Sequence, residues 1–138
     1  MWKLYAILSA VFAALVAILA KIGITGIDSN LATAIRTVVI LFVTWGIVFY
    51  SVPLESIKTL TAKNWTFLIL SGIATGLSWL FYFKALQEGE ASRVAPIDKM
   101  SVAITIVLAF LILGEKASWQ VVFGGTLIVA GSLVMLWK

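Results

Sequence analysis

Cysteine and histidine are both absent from the 138 residues. Without cysteine there is no disulfide framework and no thiolate chemistry. Without histidine the chain lacks the commonest general base, the commonest metal ligand and the usual switch near neutral pH. Charge is scarce too. Only 12% of residues are charged, ten Lys and Arg against six Asp and Glu. The net charge of +4 is scattered and forms no basic stripe of the kind that binds nucleic acid. There is no phosphate-cradling glycine loop and no buried pair of acids. The sequence therefore does not read as an enzyme, and neither a cofactor nor a metal site is expected.

What is there is apolar. Hydrophobic residues make up 62% of the chain, and the mean hydropathy is +1.12. A soluble domain needs a polar exterior that these residues cannot supply, so the composition is that of an integral membrane protein. A helix needs about 20 apolar residues to cross a bilayer core of about 30 Å. Five segments fit, at about residues 4–21, 32–52, 65–86, 94–114 and 117–137. Inside lipid each backbone polar group needs an internal partner, so these spans are helices and the fold class is all-α. The first segment has no clear cleavage site and a second span follows it closely, so it reads as a span and not as a signal peptide. Short links make consecutive spans antiparallel and leave no room for a separate soluble domain. The expectation is one transmembrane module over residues 1–138.

Gly72 and Gly76 form a GxxxG pair, and Gly124, Gly125 and Gly131 lighten the last span. Small residues let helices approach closely in lipid, so these positions are candidates for packing within one bundle or along a dimer seam. Trp2, Trp65, Trp119 and Trp137 sit at span ends, where tryptophan anchors at the interface. Trp45 and Trp79 fall inside spans, where an aromatic fills space or lines a cavity.

Positive residues divide almost evenly between the two membrane faces. Lys3, Lys58, Lys63 and Lys116 fall on the side of the N-terminus, side A. Lys21, Lys84, Arg93 and Lys138 fall on the other, side B, with Arg36 and Lys99 inside helices near it. Orientation follows this difference, and here it is small. Two expectations result: one orientation with side B cytoplasmic, or insertion both ways followed by antiparallel pairing. Many transporters are two inverted repeats around a midplane site. A five-helix chain pairing with its inverted copy would make a ten-helix homodimer of that kind.

Lys21, Arg36, Lys84, Asp98 and Lys99 form a group of candidate charges near side B. Asp98 and Lys99 lie roughly 5 Å inside the apolar layer when counted back from Gly114. With Pro96 as first helical residue, Asp98 would favour the helix dipole at a helix start. Alternatively it faces a water-filled vestibule, since intramembrane charges mark pathways. Ser101 and Thr105 share a helical face with it. On the third span Trp79, Tyr82 and Leu86 share another face, with Phe83 beside it, and could wall a site for an amphipathic solute. Both readings of the charges stay open.

The run "YFKALQEGEASRVAPIDKMSVAITIVLAFLILGEKASWQVVFGGTLIVAGSLVML" resembles the EamA module of the drug/metabolite transporter superfamily. The resemblance is carried by Tyr82-x-x-Ala85-Leu86, Pro96, Leu113-Gly114-Glu115, and Gly124 with Gly131. Lys21, Asn30 and Arg36 fit the module's first hairpin. Typical members carry ten helices in two modules of opposite orientation. The resemblance therefore implies a half-size secondary transporter in a bacterial or archaeal cytoplasmic membrane. It would export small metabolites or organic compounds by alternating access, with a second copy of itself as partner. Proton coupling through Asp98 is a further expectation. The rivals are an accessory or lipid-linked sugar flippase subunit, and a small multidrug-type exporter of lipophilic cations. Exporters of that last kind usually have four helices and an acid in the first, which this first helix lacks.

Overall fold

The computed structural model describes residues 1–116 and 118–137. Ala117, the expected first residue of the fifth span, and Lys138, counted among the charges of side B, lie outside the described residues. Among the described residues five helical stretches are long and apolar enough to cross a bilayer: Trp2–Gly23, Ser29–Ser51, Ala62–Glu88, Ala91–Leu113 and Trp119–Leu136. The fourth is not one helix. The α-helices in chain order are α1 (Trp2–Gly23), α2 (Ser29–Ser51), α3 (Ala62–Glu88), α4 (Ala91–Asp98), α5 (Ser101–Leu108) and α6 (Trp119–Leu136). A 3₁₀ segment at Leu54–Thr59 joins α2 to α3, and a π-helical turn at Ala109–Leu113 follows α5.

Local polar chemistry sets where the spans begin. Gly26 takes φ +80, and Asp28 then caps α2, its carboxylate accepting from Asn30 N at 2.8 Å and Leu31 N at 3.1 Å. A helix start leaves four backbone amides without an intrahelical partner, and the cap takes two. This starts α2 at Ser29, three residues before the apolar run suggests. Thr61 and Asn64 cap α3 reciprocally: Thr61 N donates to Asn64 Oδ1 at 3.1 Å and Asn64 N to Thr61 Oγ1 at 3.2 Å. Ser118 Oγ accepts from Val121 N at 3.3 Å and opens α6. At the other end of the fourth span Gly114 takes φ +67, and Glu115 N–H returns to Ala109 O at 3.2 Å. That left-handed stop explains the glycine of Leu113-Gly114-Glu115: a side chain there would be strained.

Pro96 is not the first residue of a helix, as the sequence suggests, but the sixth of α4. The helix begins earlier because Arg93 N and Val94 N bond back to Glu90 O at 3.0 and 2.9 Å. Pro96 has no N–H to return to the turn before it. Beyond it the pattern tightens to i→i−3: Lys99 N to Pro96 O and Met100 N to Ile97 O, both at 3.0 Å. The span is thereby interrupted between Asp98 and Ser101. Asp98 consequently sits at the C-terminus of α4, the negative end of the helix dipole, and not at the favourable N-terminal end.

The described residues group into two compact units. The first holds, of the described residues, 1–21, 88–116 and 118–137, hence most of α1 and all of α4, α5 and α6. In it α4 and α5 both pack on α6. Ser132 of α6, nearly fully buried, donates its hydroxyl to Pro96 O and to Ile128 O, each at 2.9 Å, which ties α6 to the interruption. The second unit holds residues 22–87, with α2 and nearly all of α3. There Gln87 Nε2 donates to Ile27 O at 2.8 Å, joining the end of α3 to the loop before α2. Buried residues are few, and large apolar side chains stay open along every span; Phe42 and Leu111 are 73% and 77% exposed. Such continuous apolar surface is stable only against lipid or another chain.

Candidate functional site

In the second unit α2 and α3 hold one cation between two rings. The Arg36 guanidinium carbon lies 4.3 Å from the centre of the Trp79 ring and 5.1 Å from that of Phe83. Trp79 and Phe83 are four residues apart on α3 and so share a face. Phe83 is buried, and Tyr82 meets it edge-on at 6.3 Å between centroids and 64° between planes. Cation–π contacts of this kind stabilise the charge and leave the N–H groups to find acceptors of their own. Arg36 Nη1 is buried and has no hydrogen-bond partner among the described residues. Thr33, three residues before Arg36, and Thr37, the residue after it, give their hydroxyl protons to the backbone. Thr33 Oγ1 donates to Ser29 O and Thr37 Oγ1 to Thr33 O, both at 2.8 Å. Helix α2 carries no acid along its length.

In the first unit Lys99 Nζ stands 3.2 Å from Asp98 Oδ2, so the interruption of the fourth span carries a neutral ion pair instead of two isolated charges. Adjacent opposite charges lower the cost of holding either in lipid. Ser101 begins α5 and is exposed. Lys21, at the end of α1, donates to Gly89 O at 2.8 Å. Lys84 lies on α3 one residue past Phe83, and its side chain is exposed. Of the sequence candidates, then, Arg36, Trp79 and Tyr82 come together in one unit, and Asp98 pairs with Lys99 in the other.

Within this chain the close approach of helices is at Gly125. A methyl group added at Gly72, Gly76, Gly124 or Gly131 would meet no described atom within 4 Å. At Gly125 it would stand 2.6 Å from Ile106 Cδ1, because there α5 lies directly on α6. Beside this contact runs a groove of about 280 Å³, lined by Ala103, Ile106, Phe110, Val122 and Thr126. It is apolar in character, since Thr126 spends its hydroxyl on Val122 O at 2.9 Å. Phe83 and Gly125 are the residues that sequence reasoning underweighted. The i, i+4 spacing of Trp79 and Phe83 is the signal for the first; one glycine of an adjacent pair carries none for the second. Among the described residues no group of three or more acids could hold a metal ion.

Comparison with known proteins supplies the context for these clusters. Residues 1–137 match the EamA-like transporter family. An uncharacterized transporter in the cobO 3′ region of Sinorhizobium sp. is 46% identical over 134 residues, 97% of this chain and 95% of that protein. An uncharacterized protein of Methanocaldococcus jannaschii is 32% identical over 73 residues, 53% of each chain. No solved structure matches the chain.

Proposed function

This chain belongs to the EamA-like transporter family, and we propose that it is a secondary transporter that exports small organic solutes by alternating access. The family and the transporter name of its Sinorhizobium relative make it a multi-pass membrane transporter and point away from catalysis. The observation that carries the finer reading is Arg36 held between Trp79 and Phe83 with an unserved N–H. A charge fixed by aromatics inside a span is costly in lipid, and such charges mark substrate or ion paths. Arg36, Trp79 and Tyr82 are the solute-contacting residues in this reading. Asp98, Lys99 and Ser101 lie at an interruption of the fourth span, and interrupted helices line the sites of many carriers. Asp98 there takes and releases the coupling proton.

The working unit is two copies inserted in opposite directions in a cytoplasmic membrane. Five spans with nearly balanced charge on the two faces suit that arrangement, and each span keeps an apolar surface open to lipid or to a second copy. The test is counterflow in proteoliposomes with a panel of labelled amino acids, organic acids and lipophilic amines. Exchange of at least one solute, above that of protein-free liposomes, supports transport. Folded protein that exchanges none of them contradicts it.

A further inference from the structure

From the geometry around Arg36 we infer that the solute carries a carboxylate, which the Arg36 guanidinium binds; this rests on the transporter reading and names its substrate class. Three features of the site converge. The guanidinium carbon lies 4.3 and 5.1 Å from the centres of the Trp79 and Phe83 rings, so the cation rests against an aromatic wall. Its Nη1 is buried with no acceptor among the described residues, although a buried N–H left unserved is costly. And α2 brings no carboxylate of its own to balance the charge.

The cation therefore rests on two rings and keeps one N–H group unserved. A carboxylate supplies what is missing on both counts, with two in-plane acceptors at the spacing of the fork and one negative charge. The surrounding surface is aromatic: Trp79, Phe83 and Tyr82, the last edge-on to Phe83. A solute with an apolar body attached to the carboxylate fits that surface better than a small hydrated anion. Lipophilic cations are disfavoured, because Arg36 repels them. Arg36 lies seven residues into α2, about 10 Å along the helix axis.

The probe is phenylacetate, a carboxylate on one ring, with phenethylamine as the cationic counterpart. Binding is measured by calorimetry on protein in phosphatidylcholine nanodiscs, and in a second set containing phosphatidylglycerol. The expected result is binding of phenylacetate and none of phenethylamine. Arg36→Lys should weaken phenylacetate at least tenfold, because an ammonium keeps the charge and loses the fork. Arg36→Gln should abolish it. If the Gln variant does not fold, the Lys variant decides. Equal binding of the two probes, unchanged affinity in Arg36→Lys, or folded wild type that ignores phenylacetate would overturn the inference. So would phosphatidylglycerol held through purification by wild type and not by the Lys variant, with no phenylacetate bound; the anion would then be a lipid. The counterflow panel separates the two readings. Exchange of amines alone keeps the transporter and removes the carboxylate; carboxylate binding without any exchange does the reverse.

Discussion

Single residues carry most of what is specific in this protein. Arg36, Trp79 and Phe83 form one unit of cation and rings, so removing either ring exposes the guanidinium to lipid. Phe83→Leu keeps an apolar side chain and removes the ring; initial rates of solute counterflow should fall several-fold while the protein still elutes as a single folded species. An unchanged rate would remove Phe83 from the site. Asp98→Asn should stop uphill, gradient-driven transport and spare counterflow, because the carboxyl would no longer take and release a proton; uphill transport that survives assigns the coupling elsewhere. The adjacent glycines of α6 should respond differently. Gly124→Ala meets nothing within 4 Å, and a helical Gly→Ala change gains about 0.5–1 kcal/mol from backbone entropy. Gly125→Ala would have to move the tip of the Ile106 side chain, 2.6 Å away, and should give up that gain. Thermal unfolding in detergent compares the two. Arg36 and Trp79 were legible in the sequence as charged and aromatic residues inside spans. Their contact was not, because it joins α2 to α3 and no local pattern records which faces of two helices meet.

At the scale of elements, hydropathy located all five spans, since lipid enforces length and apolarity over about 20 residues. It did not place their ends, which follow from caps at Asp28, at Thr61 with Asn64, and at Ser118. Nor did it reveal the interruption of the fourth span. Asp98 and Lys99 mark the place only as charges within an otherwise apolar run, whereas the break is a matter of which carbonyl each N–H finds. Pro96 was the visible signal, and it reads equally well as a helix start; the Glu90 carbonyl, taking the Arg93 and Val94 amides, decides for an interior proline. Two changes probe this element. Ser132→Ala removes the hydroxyl that bonds Pro96 O and should cost about 0.5–1 kcal/mol, the usual worth of one such bond between membrane helices. Pro96→Ala restores an N–H to the interior of the span. It should raise the unfolding temperature and slow transport, if the interruption serves the rocking of the bundle. A faster carrier would show that the break is only tolerated.

For the molecule as a whole, the scarcity of charge was as informative as any motif. It gave the membrane, the helical class and the near-balance of positive residues across the two faces. The structure adds that the apolar surfaces of its spans stay open among the described residues, as they would against lipid or a second chain. The proposed carrier is one module paired with its inverted copy. The direct measurement is the orientation of single cysteines in a chain that has none of its own. Lys58→Cys, in the 3₁₀ segment between α2 and α3, and Glu90→Cys, between α3 and α4, should lie on opposite faces of the membrane. Each is treated with an impermeant thiol reagent in intact cells. Each position should label in about half of the molecules, because copies insert both ways. Full labelling at one position and none at the other would contradict it, and the inverted ten-helix carrier would have to be abandoned.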